Sequence, residues 1–250
     1  MIWKFAAISC SHSPFTSRER MQWAVKQIEA HKPDVIIHLG DGLDADAASK
    51  YPSEYGHTIL DEFRHLESEV LAPLALIGAT KLVYLEGNHE YNLVDNPGRI
   101  DPKLKPVIRE RWRQTTDGWH VVPYCATQRW CIGQVTFRHG AKCGVNADRQ
   151  EALLYGVENG LHVMGHTHRP RPVTRIELPG AIPMAYWYAN PGYLAERSAM
   201  MYTHRINTEG WGFGVVIGEA HTTGEGRRRY ASRRWDAELI LGGIEADHRG

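Results

Sequence analysis

The sequence of 250 residues contains no apolar run near the ~20 residues that a membrane-spanning helix requires. It also lacks an excess of charge. Lys plus Arg and Asp plus Glu both total 29, so nothing draws the whole chain onto nucleic acid or an anionic membrane. Cysteine is scarce: the four residues, Cys10, Cys125, Cys131 and Cys143, show no CxxC or other close spacing. That argues against a disulfide framework and reads instead as free thiols or ligands in a reducing compartment. The leading apolar stretch, Met1 to Ile8, is too short for a signal peptide, and cleavage nearby would remove Cys10 and His12. A cytoplasmic location is therefore expected. Internal repeats and linkers are absent as well, so residues 1–250 are read as a single domain.

What is present is an apolar share of 42%, enough for a substantial core in a soluble globular chain, and fourteen histidines. Residues 2–9 read as a first strand. The spacing of Met21, Val25 and Ile28 predicts a helix from Ser17 to His31. A second strand is expected at 34–39. An amphipathic helix follows from His57 to Leu76, with Ile59, Leu60, Phe63, Leu66 and Val70 on its apolar face. The third strand covers Lys81 to Leu85. Alternation of this kind predicts parallel βαβ units. The stretch 91–106 reads as a loop or lid, and a helix is expected at 103–116.

Further along, successive strands are expected at Val121–Cys125 and Trp130–Arg138, a helix at Ala147–Asn159, and a strand at Leu161–Met164. Short strands at 172–177, 183–189, 212–219 and 230–240 make 171–241 rich in β structure, with 242–250 expected as a flexible tail.

Polar residues able to hold a metal recur at the carboxyl ends of these strands, often beside glycine. They are Cys10 and His12, Asp41, Asn88 and His89, His139, and His166 and His168. A shared sheet edge would bring them together, since ligands collect at the carboxyl ends of parallel strands. The donor types suit Zn, Fe or Mn better than an all-oxygen calcium cage. The metal motifs thus span 8–170. His38, His65, His120, His162, His204 and His221 are read as ordinary loop or edge residues. Cys125 and Cys131 are assigned to the core, and Cys143 to the neighbourhood of the site.

The ordered set of Cys10-Ser11-His12, Gly40-Asp41-x-x-Asp44, Gly87-Asn88-His89-Glu90, His139-Gly140 and Gly165-His166-Thr167-His168 resembles the calcineurin-like metallophosphoesterase superfamily over residues 1–170. Asn190-Pro191-Gly192 resembles a turn of its compact bacterial members. The resemblance implies a four-layer αββα sandwich of two mixed β-sheets, with a dinuclear metal centre at one edge. It places Cys10, His12, Asp41 and His168 on a first metal. Asp41 would bridge to a second metal held by Asn88, His139 and His166. By the same resemblance His89 steadies the phosphate or protonates the leaving group, Asp44 orients His89, and Glu90 adds support. Position 10 departs from the family pattern, which has Asp there. A thiolate keeps the single negative charge and favours Zn or Fe.

The implied activity is hydrolysis of phosphate esters, phosphodiesters or nucleotides above all, by attack of a metal-bound hydroxide with His89 assisting the leaving group. Phosphomonoesterase or DNA-processing nuclease activity is the alternative within the superfamily. Arg227-Arg228-Arg229 with Arg233-Arg234 forms a basic cluster read by default as a solvated surface strand, with contact to a nucleic-acid backbone as the alternative. Trp187, with Tyr186 and Tyr188, is read first as core packing, with base stacking as the rival role. A non-catalytic binding module of the same fold is the alternative of another class, and Cys10 is its only sequence hint. The expected partner is a small phosphate-ester or nucleotide substrate, with no membrane association.

Overall fold

Strand β1 (Ile2–Ile8) lies inside the larger of two sheets in the computed structural model, which describes residues 1–49, 56–96, 99–179, 184–200, 203, 206–222 and 233–245. It pairs in parallel with β2 (Val35–His38), which continues in parallel to β3 (Lys81–Leu85) and β4 (His120–Val122). On its other side β1 pairs antiparallel with β10 (Gly212–His221), followed by β11 (Trp235–Ile244). The order is β11-β10-β1-β2-β3-β4. The second sheet, in the order β5-β6-β7-β9-β8, holds β5 (Trp130–Ile132), β6 (Val135–Arg138), β7 (Leu161–Met164), β8 (Arg171–Leu178) and β9 (Met184–Asn190).

Alternation along the strands sorts the two cores. Phe5, Ala7, Val35, Ile37, Val83 and Leu85 point from the first sheet toward Val135, Phe137, Leu161 and Val163 of the second. Phe5 meets Phe137 edge-on at 5.2 Å. Each buried Val, Leu, Ile or Phe among them contributes about 1.5–3 kcal/mol relative to exposure. The opposite face of the first sheet, with Ala6, Ile8, Ile36 and Tyr84, receives Met21, Ala24 and Ile28 of helix α1 (Arg18–His31). Trp112 of α5 (Lys105–Thr115) joins the same cluster. Helix α6 (Ala147–Tyr155) covers the outer face of the second sheet, where Glu151 and the Tyr155 ring meet Arg138. The layers are helix, sheet, sheet, helix, and both sheets are mixed, as expected.

Several boundaries differ from the sequence reading. The amphipathic segment is α2 (Ile59–His65), a π-helical turn over Leu66–Leu71, and α3 (Ala72–Leu76). Pro73, second in α3, cannot donate to the carbonyl four residues back, and the wide turn before it absorbs the missing bond. Ser17 sits at the start of α1 but makes no capping bond with its side chain. The stretch read as a loop from residue 91 begins as helix α4 (Asn88–Val94), whose start Glu90 ties down by accepting the Gly87 N–H at 2.7 Å. Helix α6 stops at Gly156 rather than Gly160, and β11 continues through Ile244 into the expected tail. Arg227 to Arg229 and His204 lie outside the described residues.

Candidate metal centre

The carboxyl ends of β1, β2, β3, β6 and β7 converge on one edge, and the five motif blocks follow them. The connections there are tight. Cys10 N–H donates to the Gly40 carbonyl at 2.9 Å and His12 N–H to the Asp41 carbonyl at 3.0 Å. Cys10, His12, Asp41, His166 and His168 all adopt left-handed backbone, with φ of 53°, 47°, 52°, 66° and 60°. Each costs on the order of 1–3 kcal/mol for a residue with a side chain, a kind of strain concentrated at functional sites.

A buried carboxylate knits two of the blocks together. Glu90 accepts the N–H groups of Asp41 (3.0 Å), Leu43 (2.9 Å) and Gly87 (2.7 Å), together with the Tyr84 hydroxyl (2.9 Å). Two glycines let the loops approach. A Cβ on Gly87 would lie 2.1 Å from Asp41 Oδ1, and one on Gly40 (φ +95°) would lie 2.8 Å from His139 Nδ1. Asn190 anchors the last block: its Nδ2 donates to the Gly165 carbonyl, Thr167 Oγ1 and Asp148 Oδ1 at 2.8–3.0 Å.

Two donor groups share Asp41, and a third, of His12, Asp44 and His89, lies beside them without it. In the first, ligand atoms of Cys10, His12, Asp41 and His168 lie within 4.8 Å of one another. The Nε2 atoms of His12 and His168 face each other at 3.0 Å. In the second, Asp41, His139 and His166 meet the same limit, and Asn88 Oδ1 is 3.2 Å from His139 Nε2. All seven residues expected to bind metal are therefore in one place.

The chemistry of this set fits a cation. His139 Nδ1 faces the Leu39 carbonyl at 2.7 Å, and a carbonyl can only accept, so Nδ1 carries the hydrogen. In the neutral ring Nε2 then presents a lone pair to Asp41 Oδ2 (3.1 Å), Asn88 Oδ1 (3.2 Å) and His166 Nδ1 (3.2 Å). Converging lone pairs repel, and a cation at their meeting point removes the conflict. Without one, burial lowers the His139 pKa, but the Asp41 carboxylate overrides it and raises the value. Burial, then the Asp41 charge, pushes the Cys10 thiol well up. A coordinated metal would reverse that by deprotonating the sulfur.

His89 stands beside the donor groups. Its Nδ1 donates to the Asp44 carbonyl at 2.5 Å, and its ring meets His12 edge-on at 4.8 Å. Burial opposes its protonation, but the charges of Asp41 and Asp44 push its pKa up to about 9. Asp44 thus reaches His89 through its backbone, while its carboxylate Oδ1 lies 3.2 Å from His12 Nδ1. The contact between Asp44 and His89 therefore runs through the Asp44 backbone carbonyl, not its carboxylate.

Other assignments need correction. His38 is no edge residue: it is buried on β2, stacked flat on Tyr84 at 4.8 Å, and accepts Gly40 N–H on Nδ1. Burial holds its pKa at about 3. His162 is buried on β7, with Nδ1 2.9 Å from Thr136 Oγ1. Cys125 and Cys131 are exposed rather than in the core. Cys143, by contrast, lies beside the site as expected, with Sγ 3.3 Å from His166 Nε2. Trp187, half-buried, packs against the inter-sheet core, the role expected first, and meets Trp235 edge-on at 5.5 Å. Arg233 pairs with Asp236 at 2.7 Å.

The description "Calcineurin-like phosphoesterase superfamily domain" matches residues 3–208, and the chain belongs to that superfamily. Its members are mostly metal-dependent phosphoesterases, typically dinuclear, and include non-catalytic proteins such as Vps29. The chain is 23% identical over 180 residues to the Gene 54 protein of Mycobacterium phage L5, a match covering 66% of this chain and 69% of that protein. Among solved structures it is similar to YfcE, a phosphoesterase from E. coli, at 16% identity and TM-score 0.42, covering 88% of each chain. It is also similar to vacuolar protein sorting 29 from Cryptosporidium parvum, at 13% identity and TM-score 0.39, covering 95% of this chain and 97% of that one. No helix among the described residues is long and apolar enough to cross a membrane.

Proposed function

We propose that the chain is a dinuclear-metal hydrolase of phosphate esters, with phosphodiesters or nucleotides as the favoured substrates. One observation carries this reading: two donor groups built from five separate strand ends share the single carboxylate of Asp41. Cys10, His12, Asp41 and His168 would hold one cation, and Asp41, Asn88, His139 and His166 the other. Cations bound there would neutralise phosphoryl oxygens and acidify water. The thiol at position 10 favours Zn or Fe.

The remaining work falls to the chain itself. His89 is fixed through Nδ1 by the Asp44 carbonyl, so the proton it can give to a departing oxygen is the one on Nε2. Asp44 holds His12 with its carboxylate and His89 with its backbone, coupling a ligand to the proton donor. Glu90 sets the spacing between Asp41 and the start of α4. The test is metal content and turnover of mono-, di- and cyclic phosphate esters in wild type and His89→Ala. Loss of turnover with two metals retained supports the reading, whereas full turnover in the variant removes the role given to His89.

A further inference from the structure

Next to His89 lies a cavity of about 170 Å³. Its walls include Asp44, His89, Asn92 and Arg99, with Ala45 and Ala48 as small residues between them. Asn92 is one turn beyond His89 on α4, so the two share a helix face. Arg99 comes from the stretch expected to act as a loop or lid. Its guanidinium has no hydrogen-bond or ion-pair partner among the described residues, although other arginines of the fold, such as Arg20, Arg111 and Arg138, face carboxylates.

We infer that this cavity is the subsite for the departing alcohol, and that the alcohol carries a second anionic group held by Arg99. The inference rests on the hydrolytic reading above and narrows its substrate class. Position supports it, since the cavity shares His89 with the metal centre and the oxygen protonated by His89 must leave on that side. Size supports it too. The volume is close to the ~150 Å³ of a cavity that accepts benzene and below the roughly 300–1,000 Å³ of drug-sized pockets. A ring-sized or smaller phosphorylated or carboxylated alcohol fits, and a nucleoside as leaving group does not. In the reaction the oxygen of water forms the new bond to phosphorus as the ester P–O bond breaks. The departing oxygen takes the proton from His89 Nε2, and the proton shed by water restores the ring.

Two measurements test this. Calorimetric titration of the metal-free protein with 2-hydroxyethyl phosphate should show binding that weakens about tenfold or more in Arg99→Gln, the scale of a charge-assisted hydrogen bond. Ala48→Leu, which fills the cavity, should weaken it likewise, with thermal melts showing that both variants fold. Equal binding by wild type and both variants, or none by wild type, overturns the subsite. The zinc-loaded enzyme is then offered methyl phosphodiesters of ethanol, 3-hydroxypropionate and 2-hydroxyethyl phosphate. Wild type should prefer the two anionic leaving groups by about tenfold, and Arg99→Gln should bring that ratio near one. Turnover without the preference overturns the subsite and leaves the hydrolytic reading standing. Titratable binding with no turnover of any ester overturns the hydrolytic reading, and the leaving-group role with it.

Discussion

The two halves of the donor cluster share Asp41 but differ in how the protein surrounds them. Around the first half everything is buried: Cys10 and His12 are fully so, and His168 is stacked on Tyr193 and met edge-on by Trp211 at 4.3 Å. Around the second half the wall is thinner. Asn88 and His166 are half-buried, and the outer nitrogen of His166 faces the exposed thiol of Cys143. On the proposed reading, the difference means that one half would hold a cation in a closed, sulfur-containing pocket and the other would stay open to substrate and exchange.

Asp41→Ala should break the comparison altogether, because both halves lose their common ligand. The expected outcome is metal content near zero by elemental analysis and ester hydrolysis at background. His89→Ala should leave both halves loaded while turnover falls about 10²–10⁴-fold, the usual contribution of a positioned acid. Removing the metals with a chelator should destabilise the fold, by about 4 kcal/mol if free metal stood at 1,000 times its Kd. Thermal melts should show the first cation leaving only at chelator strengths well above those that remove the second.

A pH titration sharpens the picture of the shell beneath the cluster. His38 and His162 are both held neutral by burial, with pKa values of about 3. Their folded values lie below the ordinary 6.5, so the unfolded chain takes up protons first. Stability of the metal-free protein should therefore be unaffected by them above pH 6.5 and fall as pH drops from 6.5 toward 3. Each contributes a slope of about 1.4 kcal/mol per pH unit. Urea melts across that range should show the fall, made shallower in His162→Leu. The smallest effect is expected from Cys143→Ser. Metal affinity should drop on the order of tenfold at the second half alone, and equal losses at both halves would erase the distinction.

The motif blocks were legible in the sequence because each is a polar interruption of an apolar strand, with glycine where loops must touch. Gly40 and Gly87 are both needed for the contact between Asp41 and α4. His38 and His162 were misread for a related reason. A histidine inside a short apolar run looks like a strand end, and only the tertiary partners Tyr84, Ser11 and Thr136 make its burial tolerable. The left-handed backbone at Cys10, His12, Asp41, His166 and His168 had no local signal, since non-glycine residues take that form only when the surrounding loops compel it. Helix α4 was hidden by Asn96-Pro97-Gly98 just beyond it, and the atom through which Asp44 reaches His89 could not be read from residue type.

Whether one carboxylate serves two ions is decided most directly by anomalous diffraction from crystals of the zinc-loaded protein. Paired peaks on either side of the Asp41 side chain are the result predicted, one beside Cys10 and one beside Asn88. A single peak, or two that do not both touch Asp41, would contradict it.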